Sequence, residues 1–216
     1  MKRSGRRLRK RRTGSGTGRN ERSVINLPKL WFYGAVRPFK MTAELAEISS
    51  PVCGLSAVLL RFIATSLTTI LALYLLGKAP FAPSEFVGLP LHNYYFAEMF
   101  FLPLFGIAAW LLMASVAHMT MRLAGRESDF DRILNTIGMG MLVPMPILWV
   151  WDWTAIAFDL YKITIMAITH TAAQVWEAAV EAIGFMKILK LKTPLAIGLS
   201  LTINVIYIAL AMLFIR

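Results

Sequence analysis

The sequence predicts an all-α integral membrane protein, a bundle of about five transmembrane helices with its N-terminus cytoplasmic and its C-terminus outside. Three observations predict it. First, 57% of the 216 residues are hydrophobic and only 16% charged, and mean hydropathy is +0.59; a water-facing surface of this size requires more charge. Second, apolar stretches of about 20 residues, the length that crosses a hydrocarbon layer about 30 Å thick, recur along the chain. Third, the net charge of +11 is localised: residues 1–40 hold thirteen of the 23 Lys and Arg and one of the 12 Asp and Glu. The rest of the chain is close to neutral.

Residues 1–23 form a basic tail in which Arg6, Arg7, Arg9, Lys10, Arg11 and Arg12 crowd together with little to bury. Like charges repel, so the tail is expected to be disordered and to stay in the cytoplasm, where it would bind anionic lipid headgroups or an acidic protein partner. Nucleic acid is a poor fit, because no aromatic side chain is interleaved for stacking. The paired arginines precede no apolar run, so a cleaved signal is not expected. Residues 24–51 read as an interfacial amphipathic segment, with Trp31, Phe32, Tyr33 and Phe39 among Lys29, Arg37 and Lys40. A short helix over about 41–48 would turn Glu44 and Glu47 to water, and Pro51 would mark the turn into the bilayer.

The membrane domain is expected over 52–216. Its first span runs from about 52 to 76, with Arg61 in its first half, where the side chain would snorkel back to the headgroups. A second span covers about 96–121, with Glu98 at its outer interface. The third covers about 133–151 and carries Pro144 and Pro146 in its outer half. Trp149, Trp151 and Trp153 are expected to form an outer aromatic belt, with Asp152 and Asp159 in water. A fourth span at about 163–185 is the most polar, and the fifth, 194–215, is cleanly apolar. With the tail inside, three arginines in 122–132 and three lysines in 187–192 also fall inside. An odd number of spans satisfies that asymmetry; an even number breaks it.

Two blocks carry a resemblance. In HMTMRLAGRESDFDRILNTIGMGMLVP, residues His118, Arg122, Gly125, Phe130, Gly138 and Pro144 resemble the central signature of the Yip family, membrane proteins that interact with Ypt/Rab GTPases. In VWEAAVEAIGFMKILKLKTPLAIGLSL, residues Trp176, Gly184 and Ala196 are similar to the family's later spans. Arg126 stands where that family has a second glycine, the turn 127–131 is acidic, and the aromatic outer loop 149–161 is longer than usual. The resemblance covers about 48–216. It implies five spans with a cytoplasmic N-terminus and, in eukaryotic relatives, GTPase binding in vesicle traffic. The short Arg-rich chain suggests a prokaryotic member, in the cytoplasmic membrane, with another partner.

Polar residues inside a bilayer are the candidate functional groups. His118 lies one turn before Arg122 at the inner end of the second span. His170, Gln174, Glu177 and Glu181 fall at i, i+4, i+7 and i+11 and share one helix face. This stripe either glues helices together, with Glu177 and Glu181 facing Lys187 and Lys190, or lines a polar pathway with His118 and Asn135. One imidazole among carboxylates makes a poor metal site. With one cysteine, Cys53, no intrachain disulfide and no cysteine zinc site can form. No HExxH, GxSxG, phosphate-binding Gly-rich loop or CxxC is present. The expectation is a non-enzymatic protein without cofactor or metal: a membrane scaffold or adaptor, which could form a homo-oligomer. The alternatives are a small-solute or proton-coupled transporter using the polar stripe, or an accessory subunit of a larger membrane complex.

Overall fold

The computed structural model describes residues 26–81 and 88–215. The basic tail, with Arg6, Arg7, Arg9, Lys10, Arg11 and Arg12, lies outside the described residues. Among the described residues the chain is helical and has no strand. The order is α1 (Leu27–Val36), α2 (Pro38–Ala46), α3 (Val52–Thr65), a π-helical turn (Ser66–Ile70), α4 (Leu71–Leu75), α5 (Leu91–Leu123), α6 (Phe130–Leu142), α7 (Met145–Ala157), α8 (Ile163–Ile188) and α9 (Thr193–Phe214).

Four helical stretches are long and apolar enough to cross a bilayer: Val52–Leu75, Leu91–Leu123, Phe130–Ala157 and Thr193–Phe214. α8, at 26 residues, has the length but not the composition. The stretch Phe130–Ala157 is the hub, with 78% of its apolar window buried against 28–44% in the other three. Leucine, isoleucine and phenylalanine side chains left exposed on those three, such as Leu67, Phe100, Leu104 and Leu201, are what a bundle in lipid shows.

Local chemistry sets the helix ends. Asn26 caps α1 by accepting from the Lys29 N–H at 3.0 Å, and Pro28 sits in that helix's first turn, where its missing N–H costs nothing. Asp129 caps α6 by accepting from the Arg132 N–H at 3.2 Å. The hub helix breaks at Val143–Pro144 because Pro144 and Pro146 supply no N–H to the Gly140 and Leu142 carbonyls. Side chains from elsewhere use two other carbonyls at the break. Arg61 Nη1 donates to the Met141 carbonyl at 2.8 Å, and Trp31 Nε1 to the Val143 carbonyl at 3.0 Å. This is how a bilayer tolerates a broken helix.

Glycines let the hub come close to its neighbours. A Cβ on Gly138 would lie 2.5 Å from the Gly54 carbonyl oxygen, and one on Gly54 would lie 2.5 Å from that of Leu134. α3 and α6 therefore touch backbone to backbone, as small-residue faces permit in membranes. Gly184 of α8 likewise packs against the Thr136 methyl of α6, and Gly106 of α5 against the Phe62 ring of α3.

Several boundaries differ from the sequence reading. The segment 24–51 holds two helices, and α2 begins three residues before the expected 41. The pair is held by a Lys29–Glu44 ion pair of 3.0 Å, while Leu30, Met41 and Leu45 bury against Cys53, Met139 and Val143. α7 continues to Ala157, so most of the expected aromatic loop is helix. Arg61 does not reach the headgroups, and neither Glu98 nor Asp152 lies in water: all three are buried. The reason is shared, since each has protein packed around it where the sequence alone suggests lipid or solvent. Asp159 is exposed, 3.5 Å from Lys78.

The α3–α6 contact yields a direct test. Gly138→Ala should force the two backbones apart and destabilise the fold by about 1–3 kcal/mol, the usual cost of overpacking. Gly198→Ala on α9, where a Cβ meets nothing within 4 Å, should be neutral or slightly stabilising. Thermal unfolding in one detergent, followed for both variants, would show the difference.

Candidate functional site

The polar stripe of α8 faces inward. Glu177 and Glu181 are fully buried, and their partners come from two other helices. Arg61 of α3 donates from Nη1 to Glu177 Oε2 at 2.7 Å, and from Nη2 to the Tyr207 hydroxyl of α9 at 3.2 Å. One Arg61 nitrogen thus serves both Glu177 and the Met141 carbonyl at the helix break. Glu181 Oε2 accepts from Asn204 Nδ2 at 2.6 Å and from Ser200 Oγ at 3.0 Å, both on α9. Gly140 of the hub makes room, because a Cβ there would lie 2.6 Å from Glu181 Cγ. The stripe does not face Lys187 and Lys190, which are exposed. Buried carboxylates find a guanidinium and amides inside the bundle before any lysine at its edge.

A second polar group lies toward the other end of α8. Asp152 of α7 is 3% exposed. Its Oδ2 accepts from Thr69 Oγ1 at 3.1 Å, and its Oδ1 lies 3.7 Å from His170 Nε2. Thr69 belongs to the π-helical turn of the first span. Such turns insert one residue and re-aim the side chains beyond it. Just before it, Thr65 accepts from Trp149 Nε1 at 2.9 Å, fastening α3 to α7. Trp151 Nε1 donates to Thr169 Oγ1 at 3.2 Å, linking α7 to α8. Trp149 and Trp151 thus hold helices together, and Trp153 is the half-exposed member of the expected belt.

Between these groups lies a cavity of about 530 Å³. Arg61 and Tyr207 lie at one end, Thr69, Asp152, His170 and Gln174 present polar atoms along it, and α5, α7 and α9 supply apolar walls. Phe81 and Tyr161, whose rings stack 5.4 Å apart at an interplanar angle of 16°, stand at the loop end. Desolvation pushes the Tyr161 phenol up from its ordinary value, so it keeps its proton there.

The remaining sequence candidates go elsewhere. His118 does not join the stripe: Ser128 Oγ lies 2.7 Å from its Nδ1, and its ring meets Phe130 edge-on at 5.4 Å. It closes the α5–α6 turn. Asn135 is structural too, since its Oδ1 accepts from the Gly54 N–H at 2.7 Å and its Nδ2 donates to the Ser50 carbonyl at 2.9 Å. It caps the first turn of α3 from another helix. Arg122 is exposed at the end of α5. Of the seven polar candidates, His170, Gln174, Glu177 and Glu181 are brought together, while His118, Arg122 and Asn135 are not. Sequence reasoning missed Arg61, Asp152, Tyr207, Ser200 and Asn204 as site residues. A signal existed for Arg61: a cation inside a span calls for a carboxylate, and Glu177 was the one at matching depth. Among the described residues no group of three or more His, Cys, Asp or Glu could hold a metal ion.

Fold and site define an α-helical membrane protein with an open pocket in which polar side chains border apolar walls. No family model, curated protein or solved structure matches the chain, so nothing beyond the quoted residues supports the resemblance to the Yip family.

The Arg61–Glu177 pair makes a quantitative prediction. Removing one partner strands a buried charge, so Arg61→Leu should cost about 3–5 kcal/mol and lower the yield of folded protein. Arg61→Leu combined with Glu177→Leu should recover most of that loss. A double-mutant cycle on unfolding in detergent reads the coupling; a double variant as damaged as the single would show that the pair is not the cause.

Proposed function

We propose that the chain crosses the membrane five times, with its N-terminus cytoplasmic and its C-terminus opposite, and that it binds and carries a small solute in the cavity between α3, α7, α8 and α9. The fifth crossing is α8. At 26 residues and 1.5 Å per residue it is about 39 Å long, enough to span. Its polar residues are the reason it falls short on composition, and Glu177 and Glu181 are paired inside the protein rather than offered to lipid. With five crossings the arginines of 122–132 and the lysines of 187–192 share the cytoplasmic side.

The observation that carries the solute reading is the cavity itself. Pure helix-to-helix glue fills its space, whereas here Arg61, Asp152, His170 and Gln174 border about 530 Å³ that no side chain occupies. Polar side chains lining a pocket at membrane depth are a common feature of the sites where transporters hold solutes. The scaffold or adaptor reading depends on the basic tail's composition, which bears on partners at the surface and leaves the cavity without a role. The non-enzymatic reading is kept as part of this proposal: Arg61 and Glu177 neutralise one another, and Glu181 is held by Asn204 and Ser200.

The chain's lone cysteine makes the test clean. Cys53 is buried, so Cys53→Ala gives a background for single cysteines. Gln174→Cys, on the cavity wall, should react with a water-soluble thiol reagent in membranes at least tenfold faster than Val175→Cys, which is 63% exposed on the bundle's outer surface. Equal, slow labelling at both positions would sink the solute reading, since a dry cavity carries nothing polar.

A further inference from the structure

We propose that the part of the cavity lined by Asp152, His170 and Gln174 is a binding site for a small organic ammonium ion. This deepens the solute reading above and rests on it.

The argument starts from hydrogen-bond bookkeeping. His170 Nδ1 lies 3.0 Å from the Met166 carbonyl oxygen, which can only accept, so Nδ1 carries the proton in that bond. In the neutral imidazole, Nε2 is then a bare acceptor. It faces Asp152 Oδ1 at 3.7 Å, beyond hydrogen-bond range. Asp152 Oδ1 is buried and accepts no hydrogen bond, and neither does the buried Gln174 Oε1 one helical turn beyond His170. Two buried acceptors, Asp152 Oδ1 and Gln174 Oε1, and the half-exposed His170 Nε2 therefore line the same cavity without a hydrogen bond to the protein. Buried acceptors without donors are costly. A ligand in the cavity can supply the donors they lack.

The ligand's class follows. A primary ammonium has three N–H donors and one positive charge, which meets the Asp152 carboxylate. An anion would face that carboxylate, and a neutral alcohol offers one donor to three acceptors. Arg61 does not reverse the preference, because its charge is already matched by Glu177. The walls beyond these residues, including Leu148, Met166 and Ile208, suit an apolar body on the amine. The titratable or charged groups around them are Arg61 on α3, Glu177 on α8, Tyr207 on α9, Tyr161 before α8, and Glu98 on α5 behind Tyr161. Of these, Arg61 is committed to Glu177, Tyr207 and the Met141 carbonyl.

The test uses the full chain in nanodiscs of zwitterionic lipid, with empty discs subtracted. Labelled phenethylammonium, 3-phenylpropanoate and phenethyl alcohol are compared by equilibrium dialysis. The ammonium should bind saturably, and at least tenfold more weakly in Asp152→Asn. Gln174→Leu, which removes the second buried acceptor, should also weaken ammonium binding severalfold; this second variant decides the matter if Asp152→Asn fails to fold. Binding of the propanoate or the alcohol in preference to the ammonium overturns the ammonium site and leaves the solute cavity standing. No binding of any probe, with Gln174→Cys still water-reactive, also overturns it. No binding with Gln174→Cys unreactive removes the cavity reading as well.

Discussion

A guanidinium inside a bilayer must be neutralised and hydrogen-bonded, and this bundle is arranged around that requirement. Arg61 draws together four helices: its own α3, α8 through Glu177, α9 through Tyr207, and α6 through the Met141 carbonyl. The last contact joins two problems into one solution. A helix broken by Pro144 and Pro146 leaves carbonyls in a medium that offers no donors, and a buried arginine has donors to spare. The break and the charge satisfy each other. Trp31 does the same from outside, its indole N–H reaching the Val143 carbonyl, which ties α1 to the hub.

Close packing supplies the precision that this polar centre needs. Gly54 against Gly138 sets the distance between α3 and α6, Gly184 against Thr136 sets α8 against α6, and Gly140 opens the slot that Glu181 fills. Lipid is as apolar as a leucine side chain, so helix association in a membrane depends on such contacts and on interhelical hydrogen bonds rather than on hydrophobic burial. Asn135 adds one of those bonds, holding the first turn of α3 to the same hub.

The cavity follows from where the close packing stops. Glycine contacts hold the Gly184 end of α8, while at its other end Ile163 and Ile168 are exposed and the wall is made by side chains rather than by helix backbones. The π-helical turn of the first span brings Thr69 to Asp152, and Trp151 bridges to Thr169. Together they frame a space whose polar atoms are mostly acceptors. Its chemistry is thus a residue of the packing: the Arg61 end is closed and neutral, and the Asp152 end is left short of donors.

The sequence by itself determined the class of the protein: helical, membrane-embedded, and polar along one face of 163–185. Composition, span length and a periodicity of 3.6 are local properties, and they survive folding unchanged. His170, Gln174, Glu177 and Glu181 were legible because they lie on one helix at fixed spacing. The role of Arg61 was not, because whether a cation near a helix end snorkels or turns inward depends on a carboxylate 116 positions away. Asp152 between two tryptophans carries the same composition as an interfacial belt, and only the π-helical turn at Ser66–Ile70 and the packing of α7 decided that it is buried. His118 and Asn135 looked like members of a pathway since polarity shows in a sequence while direction does not. Tertiary structure decided which polar groups meet, because pairing between helices is set by crossing distance and rotation, and neither is written in the order of residues along one helix.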